Sequence, residues 1–262
     1  MATLQEKVQG YVGTFADTGS LSSWLVQSVH RLIDLLPNAK LELYSTNVPD
    51  GGSGVTLSGY RVLRAHKLGY GARITDPALK ARLADSASIY KATNTSPAAY
   101  IENGVGFILP TGGTFIAFRY PALACTTVAG STQFLTDFED YIVIYVAVRC
   151  LHQNISTKIA TLTTLSFSEE SGITYDFATQ IAQIQTYVNT EEDFELATAK
   201  IGEVNLRLND IKTKLEASGL LISQEDKRLM DTITKGTQEI SQSLMLLKEL
   251  NAQYTFLMSN LQ

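Results

Sequence analysis

The last 98 residues of the chain, 165–262, contain no proline and carry two long, thin stripes of apolar side chains. One stripe runs from Ala197 to Leu215 in alternating steps of four and three residues, and the other runs from Leu229 to Leu261. Because polar residues fill the remaining positions, each stripe is typical of a helix that packs against other helices along a narrow seam. We predict a helical hairpin here, whose final helix is roughly 50–60 Å long at about 1.5 Å per residue.

The apolar side chains of the two stripes form a predicted assembly seam. Its members are Ile201, Val204, Leu208, Ile211, Leu215, Leu229, Ile233, Ile240, Leu244, Leu247, Tyr254 and Leu261. The joint at 218–223 is short enough for the two helices to pair with each other in one chain. Neighbouring copies of the chain are the other candidate cover, and we expect an oligomer.

Before this tail, the period of the apolar pattern changes. Apolar residues recur at helical steps over 4–15 and 21–36, and Pro37 ends the second helix. Helical spacing returns at Thr132–Leu162, which is apolar on nearly every face and is therefore predicted to be buried among the other helices of an N-terminal body.

Strand patterns occupy the intervening residues, about 40–121. Polar and apolar residues alternate over 40–48, which predicts a strand. Asn103-Gly104, the strongest short hairpin signal, and the turn sequence at 110–113 predict a three-strand meander over 98–121. We expect a small antiparallel β-sheet or sandwich inserted between helices.

These patterns predict an α+β fold that is mainly α: a helical body with an inserted sheet over residues 1–164, and a long coiled-coil-like arm over 165–262. The body carries 13 Lys and Arg against 11 Asp and Glu, whereas the arm carries 8 against 15. The boundary is predicted near Leu165 to Gly172.

The sequence contains none of the residue patterns that mark common catalytic or metal sites. It has no phosphate loop, nucleophile elbow, HExxH or CxxC, and only three histidines and two cysteines. We therefore predict a protein that is not an enzyme, with no catalytic residue, cofactor or metal. A cytosolic enzyme with an unrecognised site is a less favoured alternative, and the net charge of −5 argues against a free nucleic-acid-binding regulator.

The one concentration of basic residues lies in the predicted sheet. Its candidate contact residues are Arg61, Arg64, Lys67 and Arg73. In a strand Arg61 and Lys67 point to one face and Arg64 to the other, so a solvated face or salt bridges between subunits are the simpler interpretation. Non-specific phosphate contacts with DNA, inside an assembly, are the alternative.

The longest near-apolar run, Tyr141–Val148, has eight residues, whereas a bilayer span needs about 20. The first ten residues contain no apolar segment of the kind that a secretory signal requires. We therefore expect no membrane association, synthesis in the cytosol and reduced thiols.

The order of segments between Ser20 and Lys158 resembles a known family. Its landmarks are RLIDLLPN (31–38), LELYSTNV (41–48), SIYKATNTSPAAYIENGVGFILP (88–110), YPAL (120–123) and DFEDYIVIYVAVRCLHQNIS (137–156). This order resembles the virion structural proteins of tailed bacteriophages, in particular the neck or head-to-tail connector (adaptor) proteins. In that group a helical body carries a β insertion, and a helix rich in Tyr, Val and Ala follows a proline-containing segment. The acidic tail departs from the pattern.

The resemblance implies a ring subunit, commonly in twelve copies, that lies below the portal protein and lines a channel for the viral DNA. It further implies portal and tail or neck proteins as partners, a place in the neck or tail of the virion, and synthesis in the cytoplasm of a bacterial host. The alternative within the virion is a tail, baseplate or fibre-attachment protein whose helices form a trimeric coiled coil.

Overall fold

A computed structural model describes residues 2–165, 176–189, 193–217 and 224–261, with the side chains of the third range as far as Lys214. The chain divides into two compact units. The helical unit comprises Met1–Trp24 and Asp140–Asn260, and the β unit comprises Leu25–Glu139 with Leu261–Gln262. This grouping places the helix predicted over 132–162 mostly with the tail. The predicted boundary at 165–172 lies, apart from Leu165, outside the described residues.

Long helices make up most of the helical unit. Its elements are α1 (Leu4–Val12), the start of α2 (Thr18–Leu35), nearly all of α6 (Glu139–Thr163), α7 (Phe177–Asn189), α8 (Phe194–Ala217) and α9 (Gln224–Ser259). Helix α1 begins with a capping box, in which the Thr3 hydroxyl accepts from the Glu6 N–H and the Glu6 carboxylate accepts from the Thr3 N–H. At 36 residues, α9 is about 54 Å long, as its apolar period predicts.

Helix α9 runs antiparallel to both α6 and α8. Near its end, the Tyr254 hydroxyl lies 2.8 Å from that of Tyr141 at the start of α6, and near its middle Glu239 pairs with Lys158 towards the end of α6. Along α8, Lys248 pairs with Glu195 at 3.0 Å, while Thr237 donates to the Asn205 side chain at 2.8 Å. Helices α6, α8 and α9 therefore pack into a bundle within one chain, in which α6 covers part of the tail.

The bundle buries most of the predicted assembly seam. The fully buried members are Ile201, Val204, Leu208, Ile233, Ile240, Leu244 and Leu247. The half-buried members are Ile211, Leu229, Tyr254 and Leu261, and the side chain of Leu215 lies outside the described part. Because helices of the same chain cover these side chains, the stripes do not by themselves require a partner molecule.

Seven strands form one sheet in the β unit, with the order β1-β7-β3-β4-β5-β6-β2. The strands are β1 (Thr46–Asp50), β2 (Val55–Thr56), β3 (Tyr60–Lys67), β4 (Tyr70–Ile74), β5 (Ala98–Glu102), β6 (Val105–Leu109) and β7 (Gly113–Arg119). Short helices lie around it: α3 (Asn38–Glu42), a 3₁₀ turn (Pro77–Leu79), α4 (Lys80–Ala84) and α5 (Gln133–Asp137).

The expectation of an antiparallel sheet is wrong at one pair, since β4 and β5 run parallel. Parallel neighbours need a long crossover, and the segment of turns and helix between Ile74 and Ala98 provides it. The predicted meander is half formed. Strands β5 and β6 pair through the Asn103-Gly104 turn, but β7 pairs with β1 and β3.

The predicted strand over 40–48 is also wrong in its first half. Residues 38–42 form α3, and the chain enters β1 only at Thr46. Pro37 has a φ of −64° and its carbonyl accepts the N–H groups of Lys40 and Leu41, which closes a helical turn before a strand can start. The alternation over so few residues did not distinguish a buried Leu41 in a short helix from one in a strand.

A buried carboxylate joins the end of β1 to β6. Asp50 Oδ1 accepts from the N–H groups of Gly52 (2.8 Å) and Gly54 (3.0 Å), and Oδ2 accepts from the Ile108 N–H (2.8 Å). The sheet encloses a small core there: Leu57, Ala65, Ala99, Ile108 and Phe115. At Gly54, whose φ is +89°, a Cβ would lie 2.5 Å from the Phe107 ring, so only glycine fits.

Candidate functional site

The four predicted basic contact residues all lie in the β unit, on β3 and β4, and each is engaged within its own unit. The guanidinium of Arg61 donates to the Ile33 carbonyl at the end of α2 and to the Asn38 side chain at 3.2 Å. The ammonium of Lys67 donates to the carbonyls of Pro110 (2.7 Å) and Thr111 (2.6 Å). These two residues tie the neighbouring helix and turn to the sheet.

The other two cations have similar structural partners. Arg64 forms an ion pair with Glu42 of α3 at 3.3 Å, and Arg73 donates to the carbonyls of Tyr90 and Lys91. Since Arg61 and Lys67 are six residues apart on one strand, they are separated by about 20 Å. The sheet therefore does not gather the four cations into one patch, and their contact with DNA or with a neighbouring subunit stays a prediction.

An open groove of about 550 Å³ in the β unit is the candidate binding feature. Three short segments line it: the residues that follow α3 (43–45), the end of β7 with the residues that follow (118–122), and the start of α5 with its cap (132–134). Its aromatic members are Tyr44, Phe118, Tyr120 and Phe134. The volume lies within the range of about 300–1,000 Å³ that is typical of ligand pockets.

Contacts between rings hold the groove walls in place. Phe134 lies 4.9 Å from Phe118 and 5.4 Å from Tyr44, measured between ring centroids, and the Tyr44 contact is edge-to-face. Tyr120 stacks on the imidazole of His30 at 4.8 Å. Aromatic pairs at such distances stabilise one another beyond simple burial, so the walls are pre-formed rather than assembled around a ligand.

A short hydrogen-bond chain fixes the Tyr44 ring at one wall. Its hydroxyl donates to Asp137 Oδ2 at 2.5 Å, and Asp137 Oδ1 accepts from the Gln133 side chain at 2.7 Å. Burial and the neighbouring Asp137 carboxylate raise the pKa of Tyr44 to about 12. At neutral pH the protonated phenol is thus a hydrogen-bond donor to Asp137.

A β-hairpin tip with exposed apolar side chains lies at the far end of β3. Strands β3 and β4 join through the two-residue turn Leu68-Gly69, and Lys67 pairs with Tyr70 across it. The exposed fraction is 75% for Leu68 and 49% for Tyr70. We call Leu68 to Tyr70 the apolar tip.

Sequence reasoning missed both features. The groove is built from three segments that lie far apart in the sequence and share no apolar period, so no local sequence pattern predicts it. The apolar tip could have been predicted from the sequence, because Leu68-Gly69 lies where a hairpin turn is expected between two strands of alternating pattern.

Cys150 is buried in α6. Burial raises the pKa of the Cys150 thiol to about 12, which makes its thiolate scarce at neutral pH. Within the described ranges, His, Cys, Asp and Glu side chains form no group of three or more that is suited to a metal ion. None of the helices that the structure describes is both long and apolar enough to cross a membrane.

Comparison of the chain with protein-family models, with curated proteins and with solved structures gives no match.

Proposed function

We propose that the chain is a non-enzymatic structural subunit of a tailed-bacteriophage virion, and specifically a neck adaptor that forms a ring between the portal protein and the tail. In this role the ring surrounds the channel through which the DNA passes, and its contacts with DNA are not sequence-specific. The proposal extends the resemblance of the sequence to connector proteins.

The order of the elements is the observation that carries the proposal. The sheet is inserted in the chain between α2 and α6, and α6 directly follows the proline-containing segment after β7 and the short helix α5. This order of helix, β insertion and Tyr- and Val-rich helix is the one that the resemblance implies.

The molar mass of the purified chain in solution tests the proposal most directly. A ring gives a large multiple of the 28.6 kDa chain mass, twelvefold for twelve copies, and closed rings in negative-stain images. The measurement is repeated with the portal protein of the same virus, because the ring would form on that template. A monomer at tens of micromolar, alone and with portal, would refute the proposal.

The rival assignment, a tail, baseplate or fibre-attachment protein with a trimeric coiled coil, has less support. Such a coiled coil would need the seams of α8 and α9 at its axis, whereas their central residues, such as Val204 and Leu244, are buried inside the bundle of one chain. A mass of three chains in solution would nevertheless favour it over the adaptor.

A further inference from the structure

One face of the sheet is accessible to solvent over the four neighbouring strands β1, β7, β3 and β4. The opposite face of these strands carries Val48, Ala65, Ala72 and Phe115, which pack in the small core of the sheet. Because side chains alternate along a strand, the residues on either side of these four point away from that core. They form what we call the open face, and all of them are exposed or half-buried: Asn47, Pro49, Arg64, His66, Gly71, Arg73, Thr114 and Ile116.

The open face contains no acidic residue, although acidic residues outnumber basic ones in the whole chain. The carboxylate of Glu42 in α3 pairs with Arg64 at 3.3 Å, but the Arg64 side chain remains 60% exposed. Arg73 donates to the neutral carbonyls of Tyr90 and Lys91. These contacts leave its positive charge without a carboxylate partner in the described part of the chain.

Two of the cations on the open face lie side by side. The register of β3 and β4 pairs Ala65 with Ala72, so Arg64 lies opposite Arg73 with Cα atoms about 5 Å apart. The exposed Lys91 adjoins them, since the Arg73 guanidinium contacts its carbonyl at 3.3 Å. Like charges directly opposite each other destabilise a strand pair. The repulsion at this place therefore weakens the fold, and a bound anion would relieve it.

The residue types on the open face indicate which anion fits. Arginine, lysine, threonine and asparagine are among the residues that contact the phosphate groups of nucleic acids. Proteins that bind single strands without sequence preference also stack the bases on aromatic rings, and the open face carries no Phe, Tyr or Trp. At Gly71 a Cβ would meet no atom within 4 Å, so the surface beside Arg73 is free for a close approach. Cations and polar donors without stacking rings suit the backbone of a duplex.

We propose that the open face binds the phosphate backbone of duplex DNA through Arg64, Arg73 and Lys91, without reading its bases. The inference deepens the proposed function, on which the choice of DNA as the polyanion rests, by naming the surface that faces it. It also narrows the prediction from the sequence, because Arg61 and Lys67 hold a helix and a turn and do not belong to this surface.

The number of cations determines how strongly salt should weaken the binding. Three cations neutralise about two or three phosphates, so a plot of log affinity against log salt concentration should have a slope of about −2 to −3. Between about 50 and 200 mM salt this slope corresponds to a loss of affinity of about 10- to 40-fold. One chain therefore binds DNA weakly, whereas the copies in a ring add their contacts and hold it more tightly.

Fluorescence anisotropy with a labelled DNA duplex of mixed sequence tests the surface. Arg73→Gln should weaken binding roughly tenfold at about 50 mM salt and make the salt slope about one unit less negative. Arg228→Gln is the matched control, because it removes the same charge from an exposed position on α9, and it should change the affinity less than about twofold. A wild-type chain that does not bind the duplex, or an equal loss in the two variants, would overturn the proposal.

A second variant tests the same surface without removing the contacts of Arg73 with carbonyl groups. Asn47→Glu places a carboxylate at an exposed position of the open face, so it should weaken DNA binding several-fold while the free energy of unfolding changes little. Gln238→Glu, at an exposed position of α9, is its control and should leave binding unchanged. If polyglutamate of equal charge competes as well as unlabelled duplex, the open face accepts any polyanion and the assignment to DNA is wrong.

The outcomes distinguish this inference from the proposed function, because molar mass measures assembly separately from DNA binding. If rings form but Arg73→Gln and Asn47→Glu bind the duplex as tightly as the wild type, the open face is wrong while the adaptor role stands. If the chain stays a monomer with and without portal protein, but these two variants lose affinity and their controls do not, the DNA surface stands and the adaptor role is wrong.

Discussion

The packing of α9 against α6 can be tested at Gly236, which lies in the middle of α9. A Cβ at this position would lie 2.7 and 2.8 Å from the two δ-methyl groups of Leu162 in α6 and 3.2 Å from its Cγ. Gly202 in α8 is the matched control, because a Cβ there meets no atom within 4 Å. Both glycines lie inside helices, so alanine gains about 1 kcal/mol of helix propensity at either site.

The two alanine variants should therefore change the free energy of unfolding differently. Gly202→Ala should raise the free energy of unfolding by about 0.5–1 kcal/mol. At Gly236 the same gain is opposed by overpacking against Leu162, which costs about 1–3 kcal/mol, so the net effect is between zero and a loss of about 2 kcal/mol. Leu162→Ala alone should cost about 2–4 kcal/mol, but in its presence Gly236→Ala should become stabilising, because the new methyl group enters the vacated space.

Denaturant unfolding followed by far-UV circular dichroism measures the wild type and the four variants, and the double-mutant cycle gives the coupling between Leu162 and Gly236. We expect a coupling of about 1–3 kcal/mol that is independent of protein concentration. If Gly236→Ala stabilises the protein as much as Gly202→Ala, α9 does not lie against α6 in the folded chain. A coupling that grows with concentration would place Leu162 and Gly236 in contact between different molecules.

Three further predictions concern single groups. Asp50→Ala leaves the buried N–H of Ile108 in β6 without its acceptor, so the free energy of unfolding should fall by about 2–4 kcal/mol. Asp50→Asn keeps one acceptor oxygen and should recover part of this loss. Equal losses for the two variants in denaturant titrations would contradict this account. A thiol reagent at neutral pH should modify the half-buried Cys125 in the folded protein and reach Cys150 only on unfolding. The reason is that burial raises the pKa of the Cys150 thiol to about 12. Fast modification of both thiols in the folded protein would contradict this prediction. The hydrogen bond from Lys158, together with its charge, lowers the pKa of Glu239 below its usual value near 4.5, so the pair stabilises the fold above that pH and its contribution is lost as the pH falls. Both side chains are more than a third exposed, so Glu239→Gln should lower the free energy of unfolding by only a few tenths of a kcal/mol at about pH 7. At about pH 2 it should lower it by nothing. A loss of stability that persists in acid would point to another cause.

Local rules predicted those elements whose own sequence carries a clear pattern. The apolar period from Leu229 to Leu261 matches α9, and the Asn103-Gly104 turn joins β5 to β6 as expected. The errors occur where distant residues decide the outcome. The parallel pairing of β4 with β5 depends on a crossover of more than twenty residues, and nothing in either strand's own sequence specifies it.

The candidate site was less predictable for the same reason. The groove combines three segments from 43–45, 118–122 and 132–134, and its aromatic residues read individually as ordinary core positions. The charge of the basic residues can be read directly from the sequence. Their partners are not visible: Lys67 contacts carbonyls more than forty residues away, which only the folded sheet brings within reach.

The burial of the tail seams changes which surfaces can build an assembly. A thin apolar stripe on a helix must be covered, and from the sequence alone other copies of the chain were a reasonable cover. In the folded chain, residues such as Ile240 and Leu247 are already covered, and giving them to a neighbouring molecule would require the bundle to open. Each such side chain would lose about 1.5–3 kcal/mol of burial before any new contact formed. Surfaces that remain open in the folded chain require no such step, and in the β unit the apolar tip and the aromatic groove are of this kind.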